Sequence, residues 1–352
     1  MMLTGLLCGA LLGFVMQRGR FCLTGGFRDM YIAKDNRMFY ALLIAIAVQS
    51  VGVYLLIHFD VITYATGSFP WLATMIGSFL FGIGIVFAGG CATGTWYRAG
   101  EGLLGSWIAL IGYMFMSAVM RTGILAPMND SLKGVTTTTN SIADSTGISV
   151  WVWISLLVVI VLFFVQKELR KPKLFIPTLK RKRTGIGYVL FEKRWHPFFT
   201  AILVGIIAII AWPLSVATGR MAGLGITTPS ANILQFLVIN DLSYLNWGVF
   251  LVLGILLGSF LAAKASHEFR FRMPDAKTGI TSFVGGNIMG FGASLAGGCS
   301  IGNGLVATAM MTWQGWIALL FIILGTWTAS YFVFMRPKGN TQAVPDDTTV
   351  IV

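Results

Sequence analysis

Nine long apolar runs occupy most of this 352-residue sequence and restrict the folds open to it. A helix needs about 20 apolar residues to cross the hydrocarbon core of a bilayer, and most of the runs are close to that length. Hydrophobic residues make up 56% of the chain and charged residues only 11%, a balance that excludes a soluble protein. We therefore predict an all-α polytopic membrane protein with about nine transmembrane helices, at roughly 3–18, 38–58, 70–88, 102–121, 150–166, 196–217, 245–263, 278–296 and 314–335.

Four further apolar segments are too short to span the membrane. They lie at about 23–34, 92–100, 228–239 and 300–311, and each follows a turn that contains Gly or Pro. Irregular backbone at membrane depth persists only where protein buries it or where it lines a polar cavity. We predict four half-helices that dip into the bilayer.

Clusters of Lys and Arg between the runs determine the predicted orientation. The densest cluster, 167–195, includes the sequence KRKR at 180–183 and should be a cytoplasmic linker, since basic loops stay inside. It divides the chain into two membrane halves, 1–166 and 196–337, followed by a cytoplasmic tail, 338–352. The N-terminus is then periplasmic. A nucleic-acid-binding protein would carry its +12 net charge on a polar domain, so no nucleic-acid partner is expected.

The two halves contain a repeat. AGGCATG at 88–94 matches AGGCSIG at 296–302, and Gly19-Arg20 is echoed by Gly219-Arg220. The corresponding loops fall on opposite faces of the predicted topology, which indicates an inverted repeat. Inverted repeats with broken helices are typical of transporters whose site lies near the middle of the membrane.

The AGGC turns are the first candidate site. Two glycines before each cysteine allow positive φ and close approach of a ligand, and the N–H groups that open the half-helix favour an anion. The alternative is that the glycines form packing motifs of the GxxxG type. The recurrence of a cysteine favours function, because packing would accept Ala or Ser. The candidate residues are Cys91 and Cys299, with supporting turn residues Gly89, Gly90, Gly94, Gly297, Gly298 and Gly302.

A third thiol, Cys22 in GRFCLTGG, begins another short segment and joins the candidate substrate-binding residues. Cys8 lies in the middle of the first apolar run and is interpreted as a small hydrophobic residue. The four cysteines form no C-x-x-C pair and have no nearby His at metal-ligand spacing. We expect no metal and no cofactor.

Three thiols beside an anion should stay protonated. A thiolate about 5 Å from a single negative charge would be repelled by roughly 3 kcal/mol at an effective dielectric constant of 20. A helix dipole offsets at most about 2 kcal/mol of this repulsion. Neutral thiols are weak donors, and weak binding at successive positions suits permeation.

Charged residues near the short segments have structural and functional interpretations. Arg98 and Glu101 are spaced i,i+3 and are predicted to form a structural ion pair. Arg20 and Arg28 could attract anions at the cytoplasmic mouth or be neutralised by Asp29. Arg121 and Arg220 are the corresponding candidates on the outer face.

The sequences GRFCLTGGF, AGGCATGTWYRAGEG and AGGCSIGNGL resemble the YeeE/YedE family of bacterial sulfur-compound transporters, and within it the thiosulfate permeases. The resemblance covers residue 1 to about residue 337. It implies an hourglass-shaped protein of the bacterial inner membrane, with nine spanning and four short helices. It also implies that Cys22, Cys91 and Cys299 pass thiosulfate by S–H hydrogen bonds and that a small TusA-like cytoplasmic sulfur carrier is a partner.

Other functions stay open at this point. A membrane-embedded sulfurtransferase would form a cysteine persulfide, and a related transporter would carry another sulfur or selenium compound. No His or Lys stands beside any of the three cysteines in sequence, which favours a transporter over an enzyme. A scaffolding membrane protein would not need the thiols at all.

Overall fold

Long helices dominate the fold. The computed structural model describes residues 2–63, 67–170, 185–193 and 195–336, and each predicted apolar run holds one long helix there. The nine long helices are α1 (Met2–Gly19), α3 (Arg37–His58), α4 (Trp71–Phe87), α6 (Leu104–Thr122), α9 (Val150–Leu169), α11 (Pro197–Val216), α13 (Trp247–Ala265), α14 (Ala276–Leu295) and α15 (Trp313–Ser330).

Eight spans in the described residues are long and apolar enough to cross a membrane. Helix α14 is outside this set although it has 20 residues, because it carries Lys277, Asn287 and five glycines. Helices α4 and α6 pack against α14, whose buried residues lie mainly in its second half, from Gly285 to Leu295. The protein is therefore an all-α polytopic membrane protein, with one long helix more polar than the sequence prediction of nine spans assumed.

Shorter helices occupy the four predicted half-helix segments. They are α2 (Leu23–Ile32), α5 (Ala92–Gly100), α12 (Thr227–Ile239) and a π-helix (Gly302–Ala307). Helix α5 ends because Gly102, at φ 94°, turns the chain in a conformation that other residues rarely adopt. The remaining short elements are α7 (Ala126–Lys133), α8 (Ile142–Thr146), α10 (Ile186–Phe191), a 3₁₀ turn (Leu242–Tyr244) and a second π-helix (Tyr331–Met335).

Glycines allow the helices of the two halves to touch backbone to backbone. Gly5, Gly9 and Gly13 of α1 lie in that order against Trp247, Leu251 and Ile255 of α13, so the two helices run parallel. A methyl group on any of these glycines would collide with a carbonyl oxygen of α13.

Helices α3 and α11 form a second parallel pair. Val48 lies against Gly205, and Gly52 one turn later lies against Ile209. The two pairs meet where α1 contacts α11. In the rest of the bundle, α4 packs antiparallel to α14, α6 packs on α14 and α15 packs on α4. Each half thus contributes helices to the packing of the other, and the two halves form one interlocked core.

Parts of the predicted linker and tail lie outside the described residues. Helix α9 continues to Leu169, and α10 belongs to the same predicted linker. The KRKR sequence at 180–183 and the tail at 338–352 are not among the residues that the structure describes.

Candidate functional site

Cys22 stands at the start of α2. Arg20 takes a left-handed conformation at φ 49°, which turns the chain sharply after α1. Cys22 is extended and occupies the N-cap position, and its carbonyl accepts a hydrogen bond from the N–H of Gly26 at 3.1 Å. The Cys22 side chain makes no capping hydrogen bond to the first turn of α2.

Cys91 occupies the equivalent position in α5. Gly89 has φ 71°, and the chain then extends through Cys91, whose side chain is fully buried. Its sulfur accepts a hydrogen bond from the N–H of Gly94 at 3.3 Å. The thiol thus caps the half-helix that follows it.

Cys299 follows a turn of the same shape. Gly297 has φ 75°, and the Cys299 carbonyl accepts from the N–H of Asn303 at 2.8 Å. The Asn303 amide holds the turn by donating to the carbonyls of Ala296 at 2.9 Å and Gly298 at 3.2 Å. Cys299 is fully buried. Both AGGC segments therefore form a left-handed glycine turn that ends in a buried thiol.

The glycines around the thiols make room for side chains and do not pack helices together. A methyl group on Gly94 would lie 3.3 Å from the sulfur of Cys91 and 3.5 Å from that of Cys22. On Gly90 it would approach the Arg98 guanidinium at 3.4 Å, and on Gly298 it would crowd the Asn303 amide oxygen at 2.8 Å. Gly302 has open space beside it. The GxxxG packing alternative therefore finds no helix partner at these positions.

The sulfurs of Cys22 and Cys91 are neighbours, since a methyl group on Gly94 would lie 3.5 Å from the first and 3.3 Å from the second. Ser300, the residue next to Cys299, also lies near Cys91. Its hydroxyl is fully buried and has no hydrogen-bond partner within the described ranges. Cys91 therefore connects the half-helix of Cys22 to the turn of Cys299.

Two cavities reach this row of thiols. The first, which we call the Cys22 cavity, has a volume of about 410 Å³, and its lining includes Cys22, Met38 and Arg98. The second, the Cys299 cavity, has a volume of about 290 Å³, and its lining includes Cys299 and Trp212. Cys91 lines neither cavity and is buried between them.

The two cavities open at opposite ends of the helix bundle. Met38 of the Cys22 cavity stands at the start of α3, whereas Trp212 of the Cys299 cavity stands near the end of α11. Because α3 and α11 run parallel, these residues are separated along the bundle by most of a 20-residue helix, about 30 Å at full length.

Most arginines of the Cys22 cavity are paired with carboxylates. Arg20 bonds Glu101 at 2.8 Å and Glu268 at 2.7 Å, and Arg18 contacts Glu268 at 3.4 Å. Arg28 pairs with Asp29 at 2.9 Å. Of the two interpretations that the sequence allowed for Arg28, attraction of anions or neutralisation by Asp29, the structure shows neutralisation.

The predicted ion pair between Arg98 and Glu101 is wrong. The Arg98 side chain turns back along α5 and donates to the carbonyl of Gly89, in the direction that helical side chains favour. Glu101 follows the last turn of α5 and faces the end of α1, where Arg20 meets it. Arg98 therefore lines the cavity without a carboxylate partner among the described residues.

Sequence reasoning placed the three cysteines but missed several of their neighbours. Tyr113 is buried near Cys91 and Cys299, and its hydroxyl donates to that of Thr227 at 2.9 Å. Ser300 lies inside the AGGCSIG motif but was not singled out, and Glu268 reaches the site from a loop after α13 that no motif marked. An ordinary Tyr or Ser inside an apolar run gives no signal of such a position.

The fold defines an all-α polytopic membrane protein in which short helices interrupt the long ones and three buried cysteines lie at the intervening turns. The sulphur transport family model matches residues 18–328, so the chain belongs to that family, as the resemblance to YeeE/YedE proteins predicted.

Individual relatives extend over almost the whole chain. The thiosulfate transporter TsuA of Escherichia coli strain K12 is 68% identical over 342 residues, which is 97% of each chain. The protein of the same name from Spirochaeta thermophila is 32% identical over 350 residues, 96% of this chain and 100% of the relative. The probable transporter YedE of Escherichia coli matches a smaller part, with 36% identity over 115 residues, 33% of this chain and 28% of the relative.

Proposed function

We propose that this protein takes up thiosulfate into the bacterial cytoplasm along Cys22, Cys91 and Cys299, which act as neutral S–H donors. The observation that carries the proposal is the buried thiol row between two cavities at opposite ends of the bundle. Two relatives that align over almost their full length are named thiosulfate transporters, which supports the choice of substrate.

The chemistry of the path fits an ion with a soft terminal sulfur. Neutral thiols contribute weak hydrogen bonds, and the first-turn N–H of Gly94 beside Cys91 adds a donor without adding charge. Arg98 supplies positive charge where the Cys22 cavity reaches the thiols. An anion is attracted at the mouth and held only loosely inside, as permeation requires.

The proposed path is built from an inverted repeat. The pairing of α1 with α13 is matched by that of α11 with α3, and the pairing of α6 with α14 by that of α15 with α4. Matched pairs of this kind, each with one helix from either half, are expected if a two-fold axis relates the halves 1–166 and 196–337. The matching φ angles of Gly89 and Gly297 support the same relation.

We assign the Cys22 cavity to the cytoplasmic face and the Cys299 cavity to the periplasmic face of the inner membrane. The Cys22 cavity has Arg18, Arg20, Arg28 and Arg98 in its lining, and the positive-inside rule supports this orientation. The N-terminus is then periplasmic and the C-terminus cytoplasmic. A TusA-like sulfur carrier would receive thiosulfate at the cytoplasmic mouth.

Uptake of thiosulfate labelled with radioactive sulfur tests the proposal. We expect inner-membrane vesicles that contain the protein to accumulate the label, and vesicles that lack it to remain at background. Excess unlabelled thiosulfate should abolish the signal, whereas sulfate should not enter. Equal accumulation with and without the protein would refute the function.

A further inference from the structure

Two of the three buried thiols form a close pair that could hold a metal ion. The sulfurs of Cys22 and Cys91 both lie within 3.5 Å of the point where a methyl group on Gly94 would stand. Neither cysteine is in a disulfide, so each sulfur can exchange its proton for a metal. Thiolate sulfur is a soft ligand and selects copper(I) and similar thiophilic ions. The two segments that carry the pair are far apart in the sequence, and spacing along the chain gave no sign of it.

The surroundings of the pair favour an ion that needs only two ligands. In the part of the chain that the structure describes, no group of three or more His, Cys, Asp or Glu side chains could hold a metal ion together. Zinc takes four ligands in structural sites, and three with a water in catalytic sites. Copper(I) and silver(I) are satisfied by two sulfurs on opposite sides of the ion. The pair therefore suits these ions and not zinc.

Arg98 supplies the charge that such a complex needs. Two thiolates and one monovalent ion carry a single net negative charge, which is costly to bury alone. Arg98 lies near Cys22 in the lining of the Cys22 cavity, and its guanidinium has no carboxylate partner among the described side chains. Together with Arg98 the complex is neutral. A divalent ion would leave one positive charge uncompensated, so the site favours a monovalent ion.

The Cys22 cavity gives the ion a route to the pair. Cys22 lines this cavity, whereas Cys91 is fully buried beyond it. Met38 is in the same lining, and its thioether is another soft donor along the way. With the cavity assigned to the cytoplasmic face, the ion would come from a reducing compartment, in which copper is monovalent.

We propose that Cys22 and Cys91 form a binding site for a thiophilic monovalent cation, copper(I) or silver(I), and that the bound ion closes the thiol path. On binding, both S–H bonds break, two sulfur–metal bonds form and two protons pass to solvent, with no transfer of electrons. The bound sulfurs have no hydrogen left to donate. The binding site stands on the geometry of the pair, and its effect on uptake rests on the proposed function.

Calorimetric titration of the purified full-length protein with silver(I) nitrate tests the site, because silver(I) binds as copper(I) does but is not oxidised. We expect one tightly bound ion per wild-type chain. Cys22→Ser and Cys91→Ser should each weaken its binding about a hundredfold or more, since a hard hydroxyl replaces a soft thiolate. Cys8→Ser and Cys299→Ser are the matched controls and should bind as the wild type does. Unchanged binding by both Cys22→Ser and Cys91→Ser would overturn the proposal.

X-ray absorption by bound copper needs no variant and is independent of any folding defect. The wild-type protein loaded with one equivalent of copper(I) should show two sulfur ligands and no others. A copper ion with nitrogen or oxygen ligands, or with three or more sulfurs, would contradict the two-thiolate site. Zinc(II) should bind about a hundredfold more weakly than silver(I), because its remaining ligands are missing.

The role of Arg98 has its own test. Arg98→Gln should weaken silver(I) binding about tenfold, because the compensating charge is lost, and Arg98→Lys should restore most of it. Arg28→Gln is the control, since Arg28 lines the same cavity but is paired with Asp29. Equal affinity in the wild type and Arg98→Gln would refute the argument for a monovalent ion.

Uptake measures whether the bound ion closes the path. One equivalent of silver(I) should stop thiosulfate uptake by the wild-type protein, and excess dithiothreitol should restore it by removing the ion. Full uptake with the ion bound would refute the closure. If the wild-type protein accumulates no thiosulfate even without silver, the transport proposal fails, and the calorimetry and X-ray absorption still decide the metal site.

Discussion

The sulfur atoms of Cys22 and Cys91 lie close together beside Gly94. Because Gly94 has no side chain, there is room for both sulfurs at this point. A methyl group there would lie 3.3 Å from one sulfur and 3.5 Å from the other. The two half-helices α2 and α5 thereby approach each other at their N-cap residues.

Gly94→Ala tests the importance of that junction. The added methyl group should push the thiols apart and lower the rate of thiosulfate uptake about tenfold, since overpacking by one carbon typically costs about 1–3 kcal/mol. The control is Gly279→Ala in α14, where the new methyl group would make only ordinary contacts, the nearest at 3.7 Å. Equal uptake by the two variants would show that the thiol junction does not limit transport.

The ion pair between Arg20 and Glu101 can be measured by a double-mutant cycle. The free energy of unfolding in detergent micelles should show a coupling of about 1 kcal/mol or more between Arg20→Gln and Glu101→Gln, because Glu101 is nearly buried. The cycle with Arg98→Gln in place of Arg20→Gln should give a coupling within about 0.5 kcal/mol of zero. A larger coupling for Arg98 would restore the ion pair that the sequence suggested.

The contact between α4 and α14 should be sensitive to a single methyl group. Gly84→Ala places a methyl group 2.5 Å from the backbone nitrogen of Met289, and the helices cannot separate without losing their packing. We expect a loss of about 1–3 kcal/mol in the free energy of unfolding. Gly105→Ala, whose methyl group would approach Pro274 only at 3.6 Å, should change it by less than about 1 kcal/mol.

A transporter of neutral thiols should form no covalent intermediate. After exposure to thiosulfate, mass spectrometry of the protein should find Cys22, Cys91 and Cys299 unmodified. A mass gain of one sulfur atom on Cys91 that builds up with substrate would indicate a persulfide and favour the sulfurtransferase. Cys8, buried in α1 away from both cavities, reports the background of non-specific modification.

The helices and the three thiols could be predicted because their signals are local. An apolar run must span or be buried, so each of the nine runs holds a long helix. Helix α14 shows a limit of this argument. It is too polar to count among the eight apolar spans, yet it packs against α4 and α6, so its hydropathy alone does not determine where it lies in the bundle. The AGGC turns could be recognised because each has a residue in the left-handed region two positions before its cysteine, Gly89 in one and Gly297 in the other, and glycine adopts that conformation readily.

The partners of the charged groups could not be predicted, since they depend on which helix ends meet. Spacing along α5 suggested Arg98 for Glu101, yet the chain brings Arg20 to it from the end of α1. The sequence marked Arg220 only as a basic residue on the outer face. Its hydrogen bonds to Ser215, Ala222 and Gly223 are properties of the folded loop.

Uptake of labelled thiosulfate by the cysteine variants measures the central claim most directly. With equal amounts of protein in the membrane, Cys91→Ser should reduce uptake to near background, as should Cys22→Ser and Cys299→Ser, while Cys8→Ser should stay near the wild-type rate. Wild-type uptake by Cys91→Ser would contradict the claim that thiosulfate crosses the membrane by way of these thiols.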